Sequence, residues 1–184
     1  SILTGGHVIA ELLRQHGVRH IRGDIVIDQS AFDIPDVAPA LFDNEPLRPY
    51  NVRPQPLLVA QKSLLLTFTP QPARGVATVS VLPVLDGMHV DTTVPLAAPG
   101  DTTCADWRTR LGVVWNGPLD LRFKGLLAPS CGERVWPIAY PDAAGFHVRA
   151  ITSAWAALGG TLTGTLVESR VPVSAPNTPP AFEF

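Results

Sequence analysis

Lysine is almost missing from this chain: Lys62 and Lys124 are the only two in 184 residues. Neither stands three residues after a serine, so an S-x-x-K pair, in which a lysine one helical turn on lies beside a serine Oγ, is excluded within these residues. Charge of either sign is sparse, at 16% of residues with a net charge of −2, and no Lys/Arg cluster occurs. Nucleic acid and anionic membrane surfaces are therefore not expected partners. No apolar run approaches the roughly 18 residues that would predict a transmembrane segment. No signal peptide opens the sequence, and a first residue other than Met predicts a processed or shortened chain.

Two residue types are plentiful. Hydrophobic residues make up 46% of the chain, enough for a buried core, and proline reaches 19 residues. That is about twice the usual share of ~5%, which favours many turns and strand stops over long helices. A length of 184 residues suits one ordinary domain or two small ones.

Hydrophobic periodicity divides the chain. Thr4 is placed to cap a helix carrying Val8, Ile9, Leu12 and Leu13 on one stripe, with Gly17 as its stop. The apolar run Ile25, Val26, Ile27 follows and predicts a strand covered on both faces. The plan recurs later. Asp142 is placed to cap a helix with Val148, Ile151, Trp155 and Leu158 on its stripe, Gly159 and Gly160 end it, and a strand TLTGTLVES follows. Two such helix–strand units running the same way can lie side by side in one sheet.

Between them the period changes to two. Leu64, Leu66 and Phe68 alternate with polar neighbours, as do Val79 and Val81, and LDLRFK at 119–124 alternates throughout. This is the pattern of half-buried antiparallel strands. The expected fold class is α/β plus β: a helix–strand subdomain, split over residues 1–47 and 132–174, with an inserted antiparallel all-β subdomain over 48–131. Residues 175–184, within the Pro-rich tail SAPNTPPAFEF, read as a linker.

No complete catalytic set emerges from the residues. A G-x-S-x-G elbow is missing, and Ser30, which follows a strand but precedes no helix pattern, reads as a turn or cap residue. His16 and His20 are split by Gly17 and lack the Glu of H-E-x-x-H; His7, His89 and His147 are isolated and read as surface or packing residues. Asp24, Asp28 and Asp33 could be imagined around a hard cation, but Asp28 and Asp33 read more simply as turn formers. The glycines of ALGGTLTG close a helix and open a strand, the reverse of a phosphate cradle. Trp107, Trp115 and Trp136 could stack on sugars, although packing is the simpler reading, and Trp155 sits on the helix stripe. Catalytic, cofactor and metal residues are thus expected to be none. Cys104 and Cys131 form either a disulfide, closing a loop for about 3.5 kcal/mol in the chain-entropy model, or two buried thiols.

Three ordered blocks carry a resemblance: GVRHIRGDIVIDQSAFD at 17–33, RPYNVRPQPLLVAQKSLLLTF at 48–68, and SCGERVWPIAYPDAAGFHVRAITSAWAALGGTLTG at 130–164. Together they resemble the D-alanyl-D-alanine carboxypeptidase/endopeptidase family of class C low-molecular-mass penicillin-binding proteins, over about residues 3–183. Ala60–Gln61 stands where that family commonly has Asn-Phe, and Arg53 and Gln55 replace a commoner Gly and Asp.

The part resembled is the large insert between the family's S-x-x-K and S-x-N motifs. The resemblance therefore implies that the catalytic Ser and Lys precede Ser1 and that the S-x-N and Lys-Thr-Gly motifs follow Phe184. It also implies a Rossmann-like split subdomain around a smaller β subdomain. Peptidoglycan stem peptides and β-lactams would be partners through the peptidase domain, with envelope proteins as further candidates. The implied location is the bacterial periplasm or cell envelope, where disulfides persist, and so a Cys104–Cys131 bond. The alternative function is a free-standing envelope module that binds glycan or protein.

Overall fold

The computed structural model describes residues 5–28, Ser30 and 62–169. The first helix, α1, runs over Gly5–Gln15. It ends where expected: Gly17, at φ +81°, lets its own N–H reach Arg14 O and the Val18 N–H reach Leu13 O, a left-handed cap that β-carbon-bearing residues resist. The predicted cap, Thr4, lies outside the described residues. Two short strands follow, β1 (His20–Ile21) and β2 (Ile25–Asp28).

The second helix–strand unit reproduces the first. Helix α3 spans Phe146–Ala157, followed by β10 (Thr161–Leu162) and β11 (Leu166–Ser169). β1 pairs in parallel with β10 and β2 with β11. Paired residues are 141 positions apart in both ladders, and α1 shifted by that spacing falls on α3. The helices pack against each other. Glycines stand at both breaks. A β-carbon on Gly164 would lie 2.3 Å from the carbonyl carbon of Gly23, so the two segments touch backbone to backbone there. Gly164→Ala is expected to push the ladders apart and destabilise the protein by about 1–3 kcal/mol, read as a lowered urea midpoint.

Three expectations for the helix–strand units need correction. The β2 strand is covered on one face only: Ile27 is buried, while Val26 is 48% exposed and pairs with the exposed Val167. The ladder's inner side meets Ile151 and Val148 of α3, and no second helix layer covers the outer side among the described residues. The segment TLTGTLVES forms two strands rather than one, because the close approach at Gly164 interrupts it. Asp142 stands ahead of the cap position, which is Gly145; its Oδ1 accepts the Gly145 N–H at 3.1 Å and shapes the turn into the helix.

The β unit is built as its alternation predicts. Strands β3 (Ser63–Gln71), β4 (Val76–Leu82), β6 (Thr93–Pro95) and β9 (Arg134–Ala139) form an antiparallel sheet in the order β6-β4-β3-β9. Leu64, Leu66, Phe68, Ala77, Val94 and Ile138 point into one core. β9 follows residue 131, where the inserted texture ends, yet pairs with β3. A second sheet has the order β5-β8-β7, made of His89–Val90, Asp120–Phe123 and Val113–Trp115.

This second sheet departs from the expected all-antiparallel pattern. β5 pairs with β8 in parallel, since the long return between them passes through a short helix, α2 (Trp107–Leu111). Helix α3 joins the two units: Phe146 and Ala150 belong to the core of the sheets, and Ile151 to the smaller cluster under β2 and β11.

Candidate functional site

The first turn of α3 is where buried polar side chains converge. Lys62 immediately precedes β3 and is only 1% exposed, with φ at +49°. Its Nζ donates to Ala143 O at 2.6 Å, and its own carbonyl accepts the Tyr140 N–H at 2.9 Å. A buried ammonium is costly unless its protons are hydrogen-bonded. The turn between β9 and α3 supplies a carbonyl for that purpose.

His147, on the first turn of α3, is 0% exposed. Its Nδ1 lies 2.7 Å from Glu168 Oε1 on β11. An ionised carboxylate only accepts, so in the neutral ring Nδ1 carries the proton and Nε2 keeps a bare lone pair. Nε2 is buried and has no hydrogen-bond partner among the described residues. The ring also meets Phe146 edge-on, with centroids 5.9 Å apart. Burial pushes the His147 pKa below its ordinary value and the nearby Lys62 ammonium pushes the same way, while Glu168 pulls up without prevailing.

Arg149, on the same helix, fastens a third element. Its Nη1 donates to Asp86 O at 3.2 Å, and its carbonyl accepts the Asp86 N–H at 3.1 Å. The Tyr140 phenol lies beside it, pushed above its usual pKa chiefly by burial, and packs edge-on against Trp115 at 5.7 Å. The first turn of α3, with the turn that leads into it, is therefore tied to the approach to β3, to the loop before β5 and to β11. Such a set holds elements in register; the lone pair at Nε2 is buried and accepts from no hydroxyl or thiol among the described residues, so the imidazole has no nucleophile there to activate.

In the sequence His147 reads as an isolated surface or packing residue, and Lys62 serves only to exclude an S-x-x-K pair. The one available signal for Lys62 was its position against the apolar alternation of β3. Nothing local pointed to Glu168, 21 residues on from His147.

Other singled-out residues fall apart in space. Ser30 donates from N and Oγ to the two Asp28 carboxylate oxygens, each at 2.8 Å, a side-chain-closed turn after β2. Asp24 instead accepts the Thr165 N–H at 2.8 Å and sits at the other end of β2, about 13 Å away by strand rise; Asp33 lies outside the described residues. His20 Nδ1 is 2.6 Å from Thr161 Oγ1 on the neighbouring strand, and His89 is exposed near Asp91. The side chain of His7 is not among those described. No group of three or more His, Cys, Asp or Glu among the described residues could hold a metal ion, and no helix among them is long and apolar enough to cross a membrane.

The tryptophans line the interior. Trp107 and Trp155 are buried, and Trp115 and Trp136 pack half-buried against the sheet core. Cys104 and Cys131 are joined as a disulfide.

Comparison with known proteins agrees with this architecture. No curated protein sequence matches the chain significantly. The crystal structure of penicillin binding protein 4 from Haemophilus influenzae superposes with a TM-score of 0.58 at 18% identity, covering 90% of this chain and 36% of that one. A second structure of that protein, complexed with a β-lactam, gives a TM-score of 0.46 at 17% identity, over 90% of this chain and 33% of that one. The chain thus spans about a third of the length of these solved proteins. A family model, D-Ala-D-Ala carboxypeptidase 3 (S13), matches residues 7–178. The chain belongs to the D-Ala-D-Ala carboxypeptidase 3 (S13) family.

Proposed function

We propose that these residues are the accessory insert of a serine-type D-Ala-D-Ala carboxypeptidase/endopeptidase that trims peptidoglycan stem peptides or their cross-links during cell-wall remodelling. One observation carries the reading: the family match runs over nearly the whole chain, yet no serine stands three residues before Lys62 or Lys124. In the whole enzyme, a serine elsewhere in the polypeptide would attack the terminal D-Ala-D-Ala carbonyl and a lysine would take its proton. The peptide bond breaks, the terminal D-Ala leaves with that proton, and water hydrolyses the remaining acyl-enzyme. The present residues supply none of those groups and act as scaffold.

On this reading residues 1–47 and 132–174 make a split Rossmann-like subdomain, 48–131 the inserted β subdomain, and 175–184 a linker toward the peptidase portion. The repeat of α1–β1–β2 by α3–β10–β11 supports the first part. The pairing of β9 with β3 favours drawing the inserted sheet on to Ala139. The bacterial periplasm or cell envelope is the proposed location, with the disulfide in its favour. Peptidoglycan peptides and β-lactams are partners of the whole enzyme, and envelope proteins are further candidates. The packing of the tryptophans in or against the core favours this reading over a free-standing glycan-binding module.

The test is acylation. Incubated with a fluorescent penicillin, the 184-residue protein is expected to show no covalent adduct by intact mass or gel fluorescence. A stoichiometric acyl adduct on any of its serines would overturn the scaffold reading.

A further inference from the structure

His147 joins full burial to a side chain that ordinarily titrates near pH 6.5. We propose that His147 is a proton-operated latch: neutral, it fastens the first turn of α3 to β11 through Glu168; protonated, it loosens that turn from β11 and from the Lys62 approach to β3. The latch concerns how the start of α3 is held to β11 and to the approach to β3, and is independent of the reaction proposed for the parent enzyme.

The chemistry follows from atoms already placed. In the neutral ring, Nδ1–H donates to Glu168 Oε1 and Nε2 is an unpaired acceptor. A proton arriving at Nε2 creates an N–H for which the described residues provide no acceptor. It also sets a second cation beside the Lys62 ammonium in a space closed to solvent. The charged groups acting on the ring are Glu168, from β11, and Lys62, from the approach to β3. Phe146, from the helix itself, presents only a ring. From the turn before α3, Asp142 is engaged with the Gly145 N–H.

Attraction to Glu168 would favour the imidazolium, but burial and Lys62 oppose it, and burial is the largest influence. The folded pKa therefore lies below the unfolded value of about 6.5. A histidine whose pKa falls on folding lends stability that is complete above the unfolded pKa and is lost as the pH drops through it toward the folded value. Acid opens the latch.

Hydrogen exchange on the 184-residue protein tests this. Between about pH 7.5 and about pH 5, corrected for intrinsic rates, amides of residues 149–151 and of β11 are expected to lose protection, by up to about tenfold per pH unit below the unfolded pKa. Amides of β3 and β4 should keep theirs. In His147→Gln the side chain retains an N–H for Glu168 but takes up no proton, so the pH dependence should vanish. An undiminished dependence in that variant, or none in the wild type, overturns the latch. Should the variant fail to fold, an NMR titration of the wild-type ring decides: a midpoint below that of free histidine supports the proposal, and one at or above it overturns it.

Discussion

Replacing Phe68 by Ala is expected to destabilise the protein by about 3–5 kcal/mol, the upper range for a core truncation. Phe68 is 0% exposed and lies on β3 at the meeting point of two sheets and a helix. Its ring meets Phe123 of β8 edge-on at 5.2 Å and Trp107 of α2 at 5.8 Å, and Trp107 in turn meets Trp136 of β9 at 5.7 Å. Edge-to-face pairs add to the area they bury, and neighbours anchored in separate sheets cannot easily collapse into the void. Urea unfolding followed by tryptophan fluorescence reads the loss. Val135→Ala, at an exposed position of the same sheet, should stay within about 0.5 kcal/mol. A loss below about 1 kcal/mol at Phe68 would mean that the two sheets do not share a core. If the chain is the scaffold of a penicillin-binding enzyme, as proposed, this variant in that enzyme should lower the amount that takes up penicillin but not the acylation rate of each folded molecule.

What the sequence made legible was local. The stripe and glycine stop of α1, the alternation in β3, β4 and β8, and the likeness between the two helix–strand units could all be read because each depends on spacing within a few residues. The partner of each strand could not. The parallel pairing of β5 with β8 joins segments separated by a long return through α2, and β9 reaches back across the chain to β3. Val26 looked like an interior residue because three apolar residues in a row do not say how many layers cover them.

The joint at α3 was hidden for a related reason. Lys62, His147 and Glu168 are unremarkable in sequence, and become a site only when three separate elements meet. Periodicity already suggested that the two helix–strand units share one sheet; the resemblance added the family, which the match over residues 7–178 shows.

Loss of the Cys104–Cys131 bond is expected to cost about 3.5 kcal/mol, the entropy regained by the unfolded chain when a loop of this length is released. The bond spans 27 positions and links the segment before α2 to the 3-10 turn before β9. Little regular structure otherwise holds that segment. Around the bond, Ser130 Oγ donates to Asp101 O at 2.9 Å, and the Arg110 guanidinium pairs with the Asp101 carboxylate and holds its pKa well below the usual range. That ion pair is open to solvent, so salt should weaken it, whereas the covalent bond persists. The double variant Cys104→Ser/Cys131→Ser should therefore unfold at a markedly lower urea concentration, and the wild type in reductant should match it. The m-value should rise, because the released chain exposes more surface on unfolding. The same variant separates local from global consequences. The α1–α3 contact and the His147–Glu168 pair lie outside the closed loop, so the pH dependence of the latch should survive while global stability falls. If reduction left the urea midpoint unchanged, the loop would already be ordered in the unfolded ensemble.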